Sequence, residues 1–83
     1  MSPVRVKMLY FGMAGDITGR REERIVLTKG SVGDLLDELE SKYSGLGDLR
    51  RFSRVAVDEV LVDDKFRLRG GETVALLPPV AGG

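Results

Sequence analysis

The sequence predicts an α+β domain in which one helix lies across one mixed β-sheet. Three observations predict it. The chain opens on an alternating strand, closes on an apolar strand, and carries a single amphipathic helical face between them. Its 83 residues suffice for one small core and no more. A hydrophobic content of 42% suits a packed domain and is too high for disorder.

Val4-Arg-Val-Lys-Met-Leu-Tyr-Phe11 begins as strict alternation, with Val4, Val6, Met8 and Tyr10 on one face and Arg5 and Lys7 on the other. Leu9 and Phe11 turn that second face apolar further along, as suits a central strand. Gly12 to Gly19 is punctuated by glycines and reads as a loop. Glu22 to Thr28, with Ile25, Val26 and Leu27, reads as a second strand. Ser31-Val-Gly-Asp34 is a capping signature: the serine can accept from a first-turn amide while Asp34 reaches back. Val32, Leu35, Leu36, Leu39 and Tyr43 then recur at helical spacing, with Gly45 and Gly47 as stop signals.

Leu46, Leu49 and Phe52 are expected to tuck a connecting segment against the helix. Arg54 to Val57 and Val60 to Val62 read as short strands around a tight Asp58-Glu59 turn, and Thr73 to Leu77 as the closing strand. The order is strand, strand, helix, short strands, final strand. If first and last strands pair, they run parallel as central neighbours, and the arrangement is the ubiquitin-like β-grasp. The expected division is a β-grasp domain over residues 1–77 and an extended tail over residues 78–83.

Composition excludes several function classes. Thirteen basic and thirteen acidic residues leave no net charge, so no global field draws the chain to nucleic acid or to an anionic membrane. No stretch is long enough to span a bilayer, and the N-terminus lacks a signal-peptide core, so a cytoplasmic protein is expected. Histidine, cysteine and tryptophan are absent. The usual general base, thiol nucleophile and soft metal ligands are therefore missing, which disfavours a self-contained hydrolase or a metal site. Glu22-Glu23 and Asp63-Asp64 read as solvated charge, because adjacent residues on a strand or turn point apart. The acidic helix face reads as solvent-facing. Gly45-Leu-Gly47 lacks the strand-to-helix context of a phosphate loop. Leu9, Phe11, Val62 and Leu76 are candidates either for a partner-docking patch or for the core.

The ending, Leu76-Leu-Pro-Pro-Val-Ala-Gly-Gly83, carries the functional signal. Pro78 and Pro79 lack an amide donor and fix φ, so they stop the strand ladder and hold the chain extended. Val80, Ala81, Gly82 and Gly83 would then project, a reach of about 20 Å for six extended residues. Gly82 and Gly83 lack Cβ atoms, so a narrow slot could close on backbone alone. The Gly83 carboxylate is a poor electrophile until an external enzyme, using ATP, makes it an acyl adenylate. A sulfur nucleophile would convert that adenylate to a thiocarboxylate. A lysine amine would convert it to an isopeptide bond.

The chain resembles the MoaD-like sulfur carriers, the small subunits of molybdopterin synthase. The resemblance rests on Lys7-Met-Leu-Tyr-Phe11, on Ser31 to Leu39 with Tyr43, on Val55-Ala-Val57, and above all on Gly71-Glu-Thr-Val-Ala-Leu-Leu-Pro-Pro-Val-Ala-Gly-Gly83. It implies that Gly83 is adenylated by a ubiquitin-activating-type enzyme, thiocarboxylated, and threaded by Pro78 to Gly82 into the large synthase subunit. There it would donate sulfur to cyclic pyranopterin monophosphate to build the dithiolene. The catalytic residues would belong to the large subunit, and this chain would bind no cofactor of its own. A ubiquitin-like protein modifier conjugated through Gly83 is the alternative, as is a thiamin-type sulfur carrier, which shares the diglycine but usually lacks the proline pair. Gly15-Asp16 and Asp58 depart from the family's frequent Arg-Glu pair and asparagine; both positions fall in turns.

Overall fold

The computed structural model describes residues 3–78. The elements are β1 (Val4–Tyr10), α1 (Met13–Thr18), β2 (Glu22–Leu27), α2 (Val32–Lys42), α3 (Leu46–Arg50), β3 (Arg54–Val57), β4 (Val60–Val62) and β5 (Thr73–Leu77). The strands form one five-stranded sheet in the order β2-β1-β5-β3-β4. β1 and β5 run parallel, with Lys7 opposite Thr73 and Tyr10 opposite Leu76; the other pairings are antiparallel. This is the β-grasp order, with the last strand inserted beside the first.

Alternation decides which face is inside. Val6, Met8 and Tyr10 of β1, Ile25 and Leu27 of β2, Val55 and Val57 of β3, and Val74 and Leu76 of β5 are buried. They meet Val32, Leu35, Leu36 and Leu39 of α2. The capping box forms as expected: Asp34 N–H donates to Ser31 Oγ at 3.0 Å, and Ser31 N–H donates to Asp34 Oδ2 at 3.3 Å. The helix stops at Lys42, and Tyr43 is already extended at φ −123° and ψ 112°.

Three local expectations are corrected. Met13–Thr18 is a short helix and not a loop. Its turn buries Ala14, Thr18 Oγ1 donates to the Ala14 carbonyl at 2.9 Å, and Gly19, left-handed at φ 73°, returns its N–H to Gly15 O at 2.8 Å. Leu46 and Leu49 do tuck inward, on α3, but Phe52 just beyond is 69% exposed. Glu23 is not solvated: it shares the inward phase of Ile25 and Leu27 and is only 8% exposed.

Three donors and a nearby guanidinium surround that buried carboxylate. Tyr10 Oη and Tyr43 Oη each donate to Glu23 Oε1 at 2.8 Å, Lys42 Nζ pairs with Oε2, and Arg20 stands 3.7 Å away. The two tyrosine rings meet edge to face, 6.1 Å between centroids. Burial alone would raise the Glu23 pKa, but the hydrogen bonds from Lys42, Tyr43 and Tyr10 outweigh it and hold the carboxyl below its usual range. Burial and the Glu23 partner push Tyr10 well up, so the phenol stays a donor. A second cluster ties α2 to its surroundings. Arg50 donates to Asp37 at 2.7 Å, to Asp64 at 3.0 Å, and to Glu40. The acidic helix face is thus partly engaged rather than merely wet.

Glu23→Ala leaves two inward-pointing phenols without an acceptor and is expected to cost about 2–4 kcal/mol, read as a fall in urea midpoint. Because the folded Glu23 pKa is depressed, its contribution is complete above the ordinary value of 4.5 and is lost as pH falls through the lower folded value. Glu23→Gln should therefore melt lower at neutral pH and show a shallower loss of melting temperature on acidification than the wild type.

Candidate functional site

Among the described residues, no element covers the face of the sheet turned away from α2, where Phe11, Val26 and Leu61 are exposed. Strand register arranges its side chains in rows. One row runs Glu22, Leu9, Ala75, Ala56, Leu61 across β2, β1, β5, β3 and β4. The two central positions are alanine, and the flanks are leucine, so the row forms a shallow trough. Phe11 and Leu77 line the same depression toward one end of the sheet. Phe11 is 46% exposed and Leu61 54%, an apolar surface of the kind that marks an interaction site.

The docking candidates divide accordingly. Leu9 and Phe11 do belong to this face. Leu76 does not: it is 1% exposed in the core, and Val62 packs against the same inner cluster. Ala56, Leu61, Ala75 and Leu77 were missed. With Val74 inward, the two-residue period of Thr73 to Leu77 places Ala75 and Leu77 outward and Leu76 inward; a continuous apolar run obscures that phase.

The trough ends at the root of the tail. β5 stops at Leu77, and the half-buried Pro78 rests on the turn that follows β1. Gly12 makes that contact possible. It sits at φ 54°, and a Cβ there would stand 3.3 Å from Pro78 Cγ. Pro78 thus follows directly from the central strand of the sheet, against Gly12. Of the expected tail residues, Pro79, Val80, Ala81, Gly82 and Gly83 lie outside the described residues; Pro78 is placed and half-buried.

The far rim of the trough is the β3–β4 turn. Asp58 and Glu59 both have positive φ, 47° and 72°, as a two-residue hairpin with right-handed strand twist demands. Asp58 clamps the turn onto β5: its N–H donates to Thr73 O at 2.9 Å, and its Oδ1 accepts from Thr73 N–H at 2.9 Å. Among the described residues, no three His, Cys, Asp or Glu side chains gather as a metal site, and no helix is long and apolar enough to cross a membrane.

Comparison with known proteins shows where this sequence and fold recur. The model of the ThiS family matches residues 8–83, the tail included. The chain belongs to the ThiS family. A relative in this family, the molybdopterin synthase sulfur carrier subunit of Mycobacterium tuberculosis, is 35% identical over 82 residues, spanning 96% of this chain and 99% of that one. A Pyrococcus furiosus protein solved as a candidate molybdopterin converting factor subunit 1 superposes with a TM-score of 0.84 at 28% identity, over 93% of this chain and 99% of that one. A chain of the Helicobacter pylori complex of molybdopterin-converting factor subunits 1 and 2 superposes with a TM-score of 0.66 at 26% identity, over 96% of this chain and 100% of that one.

Glu59 is a non-glycine residue in a left-handed conformation at the tip of an exposed turn. Glu59→Gly should raise stability by about 1 kcal/mol, measured as a higher denaturant midpoint with an unchanged slope.

Proposed function

We propose that this chain is the sulfur-carrier subunit of a molybdopterin synthase. The observation that carries the proposal is end-to-end kinship with a sulfur carrier subunit, within a family match that runs through the diglycine end. The geometry is compatible. The chain offers no histidine or cysteine for catalysis, and β5, which leads into Pro78, forms part of an apolar surface that no other element covers among the described residues.

In this reading residues 78–83 act as the reactive arm and the β-grasp domain as the handle. An adenylyltransferase transfers AMP from ATP to the Gly83 carboxylate and releases pyrophosphate. A sulfur nucleophile then displaces AMP and leaves a thiocarboxylate. The large subunit docks on the Leu9–Ala75–Ala56–Leu61 row and receives the tail, as suits a chain like the one solved in the Helicobacter pylori two-subunit complex. The thiocarboxylate sulfur bonds to a pterin side-chain carbon as that carbon's C–O bond breaks and the oxygen departs; water then cleaves the acyl–sulfur bond, leaving sulfur on the pterin and returning Gly83 to the carboxylate. Proline fixes φ at positions 78 and 79, so the arm has fewer conformations to lose on entry.

The test is the mass of the tryptic peptide from Gly70 to Gly83, isolated after expression with the cognate activating enzyme. The peptide contains no methionine or cysteine, so exchange of oxygen for sulfur at Gly83 is not confused with methionine oxidation. The expected result is that exchange. A peptide found unmodified, with Gly83 joined to lysines of other proteins, would replace the carrier with a protein modifier. Gly83→Ala is expected to leave folding intact and to slow adenylation about 100-fold, because its methyl meets the slot at its narrowest point. Ala75→Leu fills the centre of the trough, and should change stability by less than about 1 kcal/mol while weakening large-subunit binding about 10-fold.

A further inference from the structure

The outward face of β1 changes character along its length. Phe11 and Leu9 are apolar, but Lys7 and Arg5, two and four residues earlier than Leu9, are cations on the same face. Arg24 of β2 lies directly opposite Lys7, and the exposed Val26 lies opposite Arg5. Like charges directly opposite one another in an antiparallel pair destabilise it. The carboxylates nearby are already engaged. Glu22 pairs with Lys7 at 3.1 Å, and Glu72 accepts the backbone amides of Arg69 and Gly70, each at 2.7 Å. Arg5 and Arg24 have no ion-pair partner among the described residues. In a chain with no net charge, this concentration is local. It begins one strand step, about 7 Å, from the apolar row.

We propose that Arg5, Lys7 and Arg24 form a second contact on the same docking face, and that this contact takes carboxylates on the large subunit. The inference rests on the sulfur-carrier reading. The cations are continuous with the apolar trough, so a partner seated on the trough passes over them. Carboxylates on that partner would relieve the Lys7–Arg24 repulsion and accept the planar guanidinium groups of Arg5 and Arg24 in paired hydrogen bonds. Three cations flanked by Glu22 and Glu72 make too small a track for a nucleic-acid backbone. The trough supplies the contact area, while the cations supply the orientation, steering the tail toward its entrance before the apolar row closes.

The experiment measures association of the full chain with its cognate large subunit at low and high ionic strength. Wild type should bind less tightly as salt rises. The Arg5→Glu/Arg24→Glu double variant should bind at least about 10-fold more weakly at low salt, mainly through slower association, with a flatter salt dependence. It should melt no lower than wild type, because the repulsion facing Lys7 is gone. The Arg5→Gln/Arg24→Gln variant should fall between the two. Leu61→Ser should weaken binding without flattening the salt dependence. If the double variant binds like wild type while Leu61→Ser binds more weakly, the cationic contact is overturned and the carrier reading stands. If neutral and reversed variants lose affinity equally, the effect is not one of charge and the proposal is likewise overturned. If wild type does not bind the large subunit at all, the carrier reading falls, and this inference with it.

Discussion

The parallel pairing of β1 with β5 organises the molecule. It joins residues more than sixty positions apart, Lys7 with Thr73 and Tyr10 with Leu76, and it seats the last strand in the centre of the sheet rather than at an edge. From that one pairing follow the inner core under α2, the outer row of Leu9, Ala75, Ala56 and Leu61, and the position of Pro78 against Gly12. A final strand at the edge would release its tail at the periphery, away from the apolar surface. Centrality also dictates composition: β5 buries Val74 and Leu76 on one side and exposes only Thr73, Ala75 and Leu77 on the other.

Two polar clusters hold α2 to this frame where apolar packing runs out. At its C-terminal end Lys42 and Tyr43 reach Glu23 of β2, and Tyr10 of β1 completes the set. Along its exposed side Asp37 and Glu40 meet Arg50, which also reaches Asp64. Such clusters add less stability than apolar burial, since charges give up hydration to form them. What they add is direction: each has one geometry, and each joins elements that are distant in sequence. The helix axis is thereby set against the sheet without any residue of the outer face being used.

The sheet and the helix were legible because alternation and helical spacing are strong signals here. β3 and β5 fall on the expected residues, and the Ser31–Asp34 box forms as the pattern requires. The misreadings have physical reasons. Gly12, Gly15 and Gly19 read as a loop, yet tertiary packing of Ala14 and the left-handed stop at Gly19 make a short helix of that segment. Glu23 read as solvated because charge was given more weight than phase; its place two residues before Ile25 already put it inside. Leu76 and Leu77 were hard to orient because an apolar run carries no period. The tail reading rests on residue chemistry, bare glycines and fixed prolines, and only Pro78 of that segment is among the described residues.

The central position of β5 has a consequence for biosynthesis. Of the five strands, it is the last to be made, and β1 and β3 cannot share a sheet until it arrives between them. The earlier strands can form only two separate hairpins, β1 with β2 and β3 with β4, each marginal by itself. The segment that closes the core is therefore also the segment that leads into Pro78 and the diglycine end. A nascent or broken chain lacking an ordered β5 has no completed outer row. Under the proposed carrier role, an activating enzyme that gripped the folded face would inspect the integrity of the whole domain before spending ATP on the last residue.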